Sequence, residues 1–150
     1  MGVIVLETAI ARPTADVFSY MRDHSHQMQW QAGHVLTLDV EPPGPAHVGT
    51  KVHKTRRTPM GQVSFTEEVT DLDETGRSWT ELTTTGGLRG TTVSWQVQEE
   101  GQGTRVRLTA SMHGRGMMRV MLPMIRRSAR DAWESELANL KQLLESESGG

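Results

Sequence analysis

The sequence contains no cysteine. That removes disulfide frameworks, thiol catalysis and thiolate metal sites at once, and it fits a reducing compartment. No apolar run approaches the roughly 20 residues of a membrane-spanning helix. The stretch from Val3 to Leu6 is too short for a secretory core, is closed by Glu7, and has no basic residue before it. Met1-Gly2 opens like a lipidation signal, but Leu6 stands where Ser or Thr is wanted. A large excess of one charge is also missing. The net charge of -2 over 150 residues argues against nucleic acid as the main partner. A P-loop, a dinucleotide fingerprint, a nucleophilic triad motif and a zinc motif are all absent from the sequence. What remains is a single cytoplasmic domain without stable membrane insertion, with no cofactor expected and with any chemistry limited to an acid or base in a dry pocket.

The longest helical pattern comes last, from Met117 to Glu145. Met118, Leu122, Ile125, Ala129, Trp133, Leu137, Leu140 and Leu144 recur at steps of three and four, which aligns them on one helix face. Arg127, Arg130, Glu134 and Lys141 fall opposite. The front half is apolar nearly all round, from Met117 through Ile125, with only Arg119 polar before Pro123. Such a surface must be buried on both sides or face something apolar. Pro123 lacks a backbone donor, so a kink is expected there.

The rest of the chain reads in simple order. Val3 to Ala11 is a strand, and Arg12-Pro13-Thr14 ends it. Thr14 and Asp16 suit the start of a short helix carrying Val17, Phe18, Tyr20 and Met21. His24 to Trp30 is either a second short helix or an irregular turn. Val35 to Glu41 alternates as a half-buried strand, and Pro42-Pro43-Gly44-Pro45 breaks it. Further strand patterns cover Gly49 to Arg57, Gln62 to Val69, Arg77 to Thr85, Gly90 to Gln98 and Thr104 to Met112. The first of these is polar on both faces beyond Val52 and is expected at a sheet edge. Segregated strands and helices predict an α+β fold. It comprises a curved antiparallel sheet of about six or seven strands gripping a long C-terminal helix, with one or two short helices after the first strand. Residues 1–145 form the domain and 146–150 a frayed tail.

This order resembles the START-like, birch-pollen-allergen-like helix-grip superfamily, which includes polyketide cyclases, dehydrases and lipid-transfer proteins. The local likenesses are Ala11-Arg12-Pro13 before Val17-Phe18, Trp30, Val48-Gly49-Thr50, Gly103-Thr104-Arg105-Val106, and Leu137 through Glu145. They span Val3 to Glu145 and speak for the fold, which hosts binders and enzymes alike. The resemblance implies a cavity between sheet and long helix that takes an apolar small molecule.

The candidate ligand-binding residues are Trp30, Phe65, Trp95, Met112, Met117, Met118, Met121, Met124 and Ile125. Methionines adapt to irregular ligands, and equally to ordinary core gaps. Trp133, on the back half of the helix, is expected in the core. Glu67 shares a strand face with Val63, Phe65 and Val69, so it is either an acid–base group in an apolar cavity or a hydrated carboxylate near the open end. His24, His26 and His34 lack the surrounding ligands of a metal site and read as solvent-facing loop residues. His113-Gly114-Arg115-Gly116 reads as a plain turn, with an anion-holding helix start as the other reading. Lys51, Lys54, Arg56 and Arg57 read as a solvated edge strand, or as a patch for anionic headgroups. Three functions stay open. The first is binding of a lipid-like or aromatic, polyketide-like molecule in an internal cavity. The second is a polyketide aromatase/cyclase or dehydrase acting in that cavity. The third is a homodimeric interaction module, so the chain is a monomer or a homodimer.

Overall fold

The computed structural model describes residues 3–148. Met1-Gly2, with its lipidation-like opening, and Gly149-Gly150 of the expected tail lie outside the described residues. Strand β1 (Ile4–Ile10) leads into α1 (Thr14–Arg22), a 3-10 turn (His24–His26) and α2 (Gln27–Trp30). Six strands follow: β2 (Val35–Glu41), β3 (Lys51–Thr58), β4 (Gly61–Asp73), β5 (Ser78–Thr83), β6 (Thr92–Glu100) and β7 (Gly103–Ser111). Two helices end the chain, α3 (Met117–Val120) and α4 (Leu122–Ser148). The strands form one antiparallel sheet in the order β1-β7-β6-β5-β4-β3-β2. This is the predicted α+β architecture, a curved sheet of seven strands with a long helix held against it.

The period-2 alternation decides which side chains reach the core. Ile4, Leu6 and Ile10 of β1 point inward, as do Val93, Trp95 and Val97 of β6 and Val106, Leu108 and Ala110 of β7. Val17, Phe18 and Met21 of α1 close one end of this layer. The back half of α4 completes it with Trp133, Leu137, Leu140 and Leu144. The core therefore sits over the β1-β7-β6 side of the sheet. Trp79 of β5 joins this core, and the β4-β3 side faces a different interior.

Three local expectations change. First, β3 is not an edge strand. It lies between β2 and β4, and the edges are β1 and β2. Its polar residues misled because Lys54 and Arg56 point inward and find carboxylates there. Second, the helix breaks before Pro123. Met121 has φ -90° and ψ 3°, and it separates α3 from α4. Pro123 then stands in the first turn of α4, where a missing N–H costs little. Third, α4 runs on to Ser148, so the expected tail overlaps its last turn. Leu144, 1% exposed, anchors that end in the core. The segment before α3 needs a glycine. A β-carbon on Gly114 would lie 2.8 Å from the carbonyl carbon of Met118.

Leu140 is completely buried between α4 and the sheet. Leu140→Ala should lower stability by about 2–5 kcal/mol, the lost transfer energy plus the cavity left behind. Equilibrium denaturation measures it, and a loss of a few tenths would mean that α4 is not docked in this way.

Candidate functional site

A cavity of about 100 Å³ opens between α4 and the β3-β4-β5-β6 part of the sheet. Its walls are mainly apolar. Val63 and Phe65 come from β4, Val93 and Trp95 from β6, and Ile125, Ala129 and Trp133 from α4. Met112 and Leu88 contribute from the connections around β6 and β7. Arg57, Thr58 and Pro59 lie at its rim, where β3 turns into β4.

Set into this apolar wall are charged residues that strand parity places on the inner face. Lys54 stands opposite Phe65, and Glu67 stands opposite Val52. The two are therefore diagonal neighbours on one face, and Lys54 Nζ lies 2.6 Å from Glu67 Oε1. Both are buried. Lys54 also donates to Gln27 Oε1 of α2, 3.1 Å away, and its ammonium sits 5.9 Å from the centre of the Phe65 ring.

Next to this pair, Glu81 of β5 is a hub. One of its oxygens lies 2.6 Å from His24 Nε2 and accepts from Trp79 Nε1 at 3.0 Å. The other accepts a longer bond from Trp95 Nε1 at 3.4 Å. Burial alone would push the Glu81 carboxyl up. The attraction and hydrogen bond of His24, the charge of Lys54 and the Trp79 bond overcome it and hold Glu81 well below its ordinary 4.5, at about 2. The rings behind it form a chain. Phe18 packs on Trp79 at 5.8 Å, Trp79 on Trp95 at 6.2 Å, and Trp30 meets Trp95 edge-on at 5.6 Å.

A third buried carboxylate comes from the helix side, next to the cavity lining. Glu136 of α4 is fully buried. Gln31 Nε2 donates to one of its oxygens at 2.7 Å. Arg56 donates to the other at 2.6 Å, and His34 Nδ1 lies 3.1 Å from it. Gln31 and Arg56 also line the cavity.

Of the apolar residues singled out from the sequence, the structure brings Phe65, Trp95, Met112 and Ile125 together on the cavity wall. Trp30 lies behind Trp95 rather than on the wall, because α2 turns it into the core. The helix break at Met121 detaches the front methionines from the inner stripe of α4. Met117 is 67% exposed and Met124 44% exposed. Met118 covers Gly87, where a β-carbon would lie 2.5 Å from its Cγ. Met121 is half-buried at the break. Met124 borders a shallow groove with Pro59 and Arg127 beside the cavity rim.

Glu67 is buried and ion-paired rather than hydrated. His24 is fully buried on Glu81, not a solvent-facing loop residue. His26 Nδ1 meets the Tyr20 carbonyl oxygen at 2.7 Å, so the three histidines have three separate partners. Among the described residues, no group of His, Asp and Glu comes together in a metal-holding arrangement. Trp133 belongs to the core and also reaches the cavity wall. The sequence reading missed Glu81 and Glu136, although both carried a signal. Glu81 alternates with Trp79 and Thr83, and Glu136 stands three residues after Trp133 and four before Leu140 on the core stripe.

Residues 1–145 match the family described as polyketide cyclase / dehydrase and lipid transport. No curated protein matches the chain. Among solved structures, a protein of Thermus thermophilus is similar at 19% identity, covering 98% of this chain and 99% of that one, with a TM-score of 0.83. Major latex-like protein 151 of Panax ginseng is similar at 15% identity, covering 95% and 97%, with a TM-score of 0.76. A norcoclaurine synthase point mutant of Thalictrum flavum, solved with a transition-state analogue, is similar at 16% identity, covering 98% and 96%, with a TM-score of 0.75. At these identities the likeness speaks to the fold.

The depressed Glu81 carboxyl has a definite consequence for acid stability. A group held below its unfolded value stabilises the fold above that value, and the contribution is lost as falling pH protonates the unfolded chain first and, at the lower folded value, the folded state. Stability should therefore fall as pH drops from about 4.5 towards 2. Glu81→Gln should flatten that part of the profile, measured by denaturant unfolding at a series of pH values. An unchanged slope would show that Glu81 is not held ionised by its partners.

Proposed function

The chain belongs to the family of polyketide cyclases, dehydrases and lipid-transport proteins, and we propose that it binds a small hydrophobic molecule between the sheet and α4. The observation that carries this reading is the cavity itself. Its apolar wall of Phe65, Val93, Trp95, Met112, Ile125 and Trp133 carries a few polar side chains, chief among them the Lys54–Glu67 pair with Glu81, Arg56 and Gln31 beside it. That combination of apolar lining and a few placed polar groups suits a ligand with an apolar body and one polar group. Size narrows the class. An apolar protein cavity of about 150 Å³ takes a molecule such as benzene. A space of about 100 Å³ is smaller still, which argues against a fused polycyclic skeleton lying wholly inside it. Any longer part of the ligand would extend towards the rim at Thr58 and Pro59.

The same pair supports a second reading, enzymatic enolisation or dehydration. A buried carboxylate beside a buried ammonium is equipped to take a proton from a carbon next to a carbonyl while the cation holds the developing oxyanion. Glu67 would be the base and Lys54 the electrostatic partner. The aromatic and aliphatic walls would exclude water.

Two variants test these readings. Ala129 is a small, half-buried cavity residue on α4. Ala129→Phe should fill the space and weaken an apolar fluorescent probe at least about tenfold, with the melting temperature shifting by only a few degrees. Unchanged probe affinity would reject the cavity as the binding site. Glu67→Gln should keep probe affinity within about threefold and abolish turnover of a cyclisable polyketide. Turnover that survives in Glu67→Gln would remove the enzymatic reading and leave binding alone.

A further inference from the structure

The net charge of -2 conceals an uneven distribution. Three segments meet around the cavity rim: the β3–β4 turn, the β5–β6 loop, and the connection through α3 into α4. Strand pairing puts them at one end of the sheet. Thr58 pairs with Gly61, Leu82 with Thr92, and Thr92 with Ser111. The loop and the connection are also tied directly, because the backbone N–H of Arg115 donates to the Gly87 carbonyl at 2.9 Å. Residues 57–62, 83–92 and 111–124 contain no Asp or Glu. They carry Arg57, Arg89, Arg115 and Arg119, all exposed, and none of these four has a carboxylate ion pair among the described residues. The turns at the other end carry Asp73-Glu74 and Glu99-Glu100.

Large apolar side chains stand exposed among these arginines. Met117 is 67% exposed, Val120 75%, Met124 44% and Met60 40%. Isolated exposed apolar residues are normal, but these four all lie on segments that gather at this end of the sheet. Water around these side chains is unfavourable, and the four guanidinium groups outnumber the one carboxylate of the neighbouring groove, Asp131, so the surface that would replace it is anionic. Both requirements are met by an anionic lipid interface, where apolar side chains enter the headgroup–acyl boundary and each cation gains from the surface potential. An acidic protein would satisfy the arginines without requiring the exposed methionines and valine. A second copy of this chain would bring arginine against arginine across a two-fold axis.

We propose that the rim formed by α3, the β3–β4 turn and the β5–β6 loop docks reversibly on an anionic lipid surface. Met117, Val120 and Met124 are the inserted side chains, and Arg57, Arg89, Arg115 and Arg119 contact the headgroups. Among the described residues, no helix is long and apolar enough to cross a membrane, so this contact is interfacial. The docked face is the one on which the cavity opens, which gives an apolar ligand a path that avoids bulk water. This last step rests on the binding reading above; the docking itself does not.

The test is co-sedimentation of the full chain with vesicles of phosphatidylcholine alone and of phosphatidylcholine containing phosphatidylserine, without any cavity ligand. Binding should require phosphatidylserine and weaken as salt is raised. Arg115→Ala with Arg119→Ala should weaken it roughly thirtyfold, the effect of two cations at a lipid surface. Val120→Glu should weaken it at least about tenfold. All three positions are exposed, so circular dichroism melting should stay unchanged and separate loss of docking from loss of fold. Ala129→Phe should still bind the vesicles, which keeps failure of the cavity reading distinct. Absence of phosphatidylserine-dependent binding, or binding that survives Val120→Glu, overturns the proposal. So does a concentration-dependent dimer that Val120→Glu dissociates, because the patch would then belong to a second copy.

Discussion

The structure depends on satisfying charge that the sheet carries on its inner face. Lys54, Arg56, Glu67 and Glu81 point inward because strand alternation gives them no other direction. A buried charge without a partner costs several kcal/mol. The elements that cover this side are therefore the ones that bring partners. The segment after α1 supplies His24 to Glu81, Gln27 to Lys54, and Gln31 to Glu136. Helix α4 supplies Glu136 to Arg56. These contacts fix the short helical segment between the sheet and α4 and set where the long helix can lie. The apolar core over β1, β7 and β6 stabilises the domain, while the paired charges give its other half a defined geometry.

The division of the interior also creates the cavity. On the core side, Trp133, Leu137, Leu140 and Leu144 reach large sheet residues and fill the space. On the other side, Ser128, Ala129 and Ala132 of α4 are short and face a wall whose charged residues are already committed to one another. Neither surface can collapse onto the other without breaking an ion pair, so room remains beneath the front of the helix. The Lys54–Glu67 pair is thus part of the frame and part of the lining. A ligand group placed there would meet polar partners fixed in position before it arrives.

The fold was legible because its two periodicities are clean. Val93-Trp95-Val97 and Val106-Leu108-Ala110 alternate without error, and Trp133 to Leu144 keeps a helical stripe. The site was legible only in part. Phe65, Trp95, Met112 and Ile125 follow from the same alternation and stripe. Polar residues on inner faces break the assumption that polar means exposed, which is why Lys54 and Arg56 suggested an edge and Glu81 and Glu136 went unnoticed. The methionines were misplaced by the break at Met121. A continuous helix would have kept Met118 and Met121 beside Ile125, and a single residue in a bridge conformation is not visible in composition or period. His24 was read as a surface residue because its partner, Glu81, lies 57 positions away.

The central claim is that an apolar ligand enters the space under α4 and not the exposed methionine patch. Methyl NMR on protein labelled at its methionines separates the two directly, because Met112 lines the cavity while Met117 is exposed on α3. Titration with a small aromatic probe should move the Met112 methyl resonance in a saturable way and leave that of Met117 in place. A saturable shift at Met117 and Met124 with Met112 silent would contradict the account and locate binding on the outer surface of the rim.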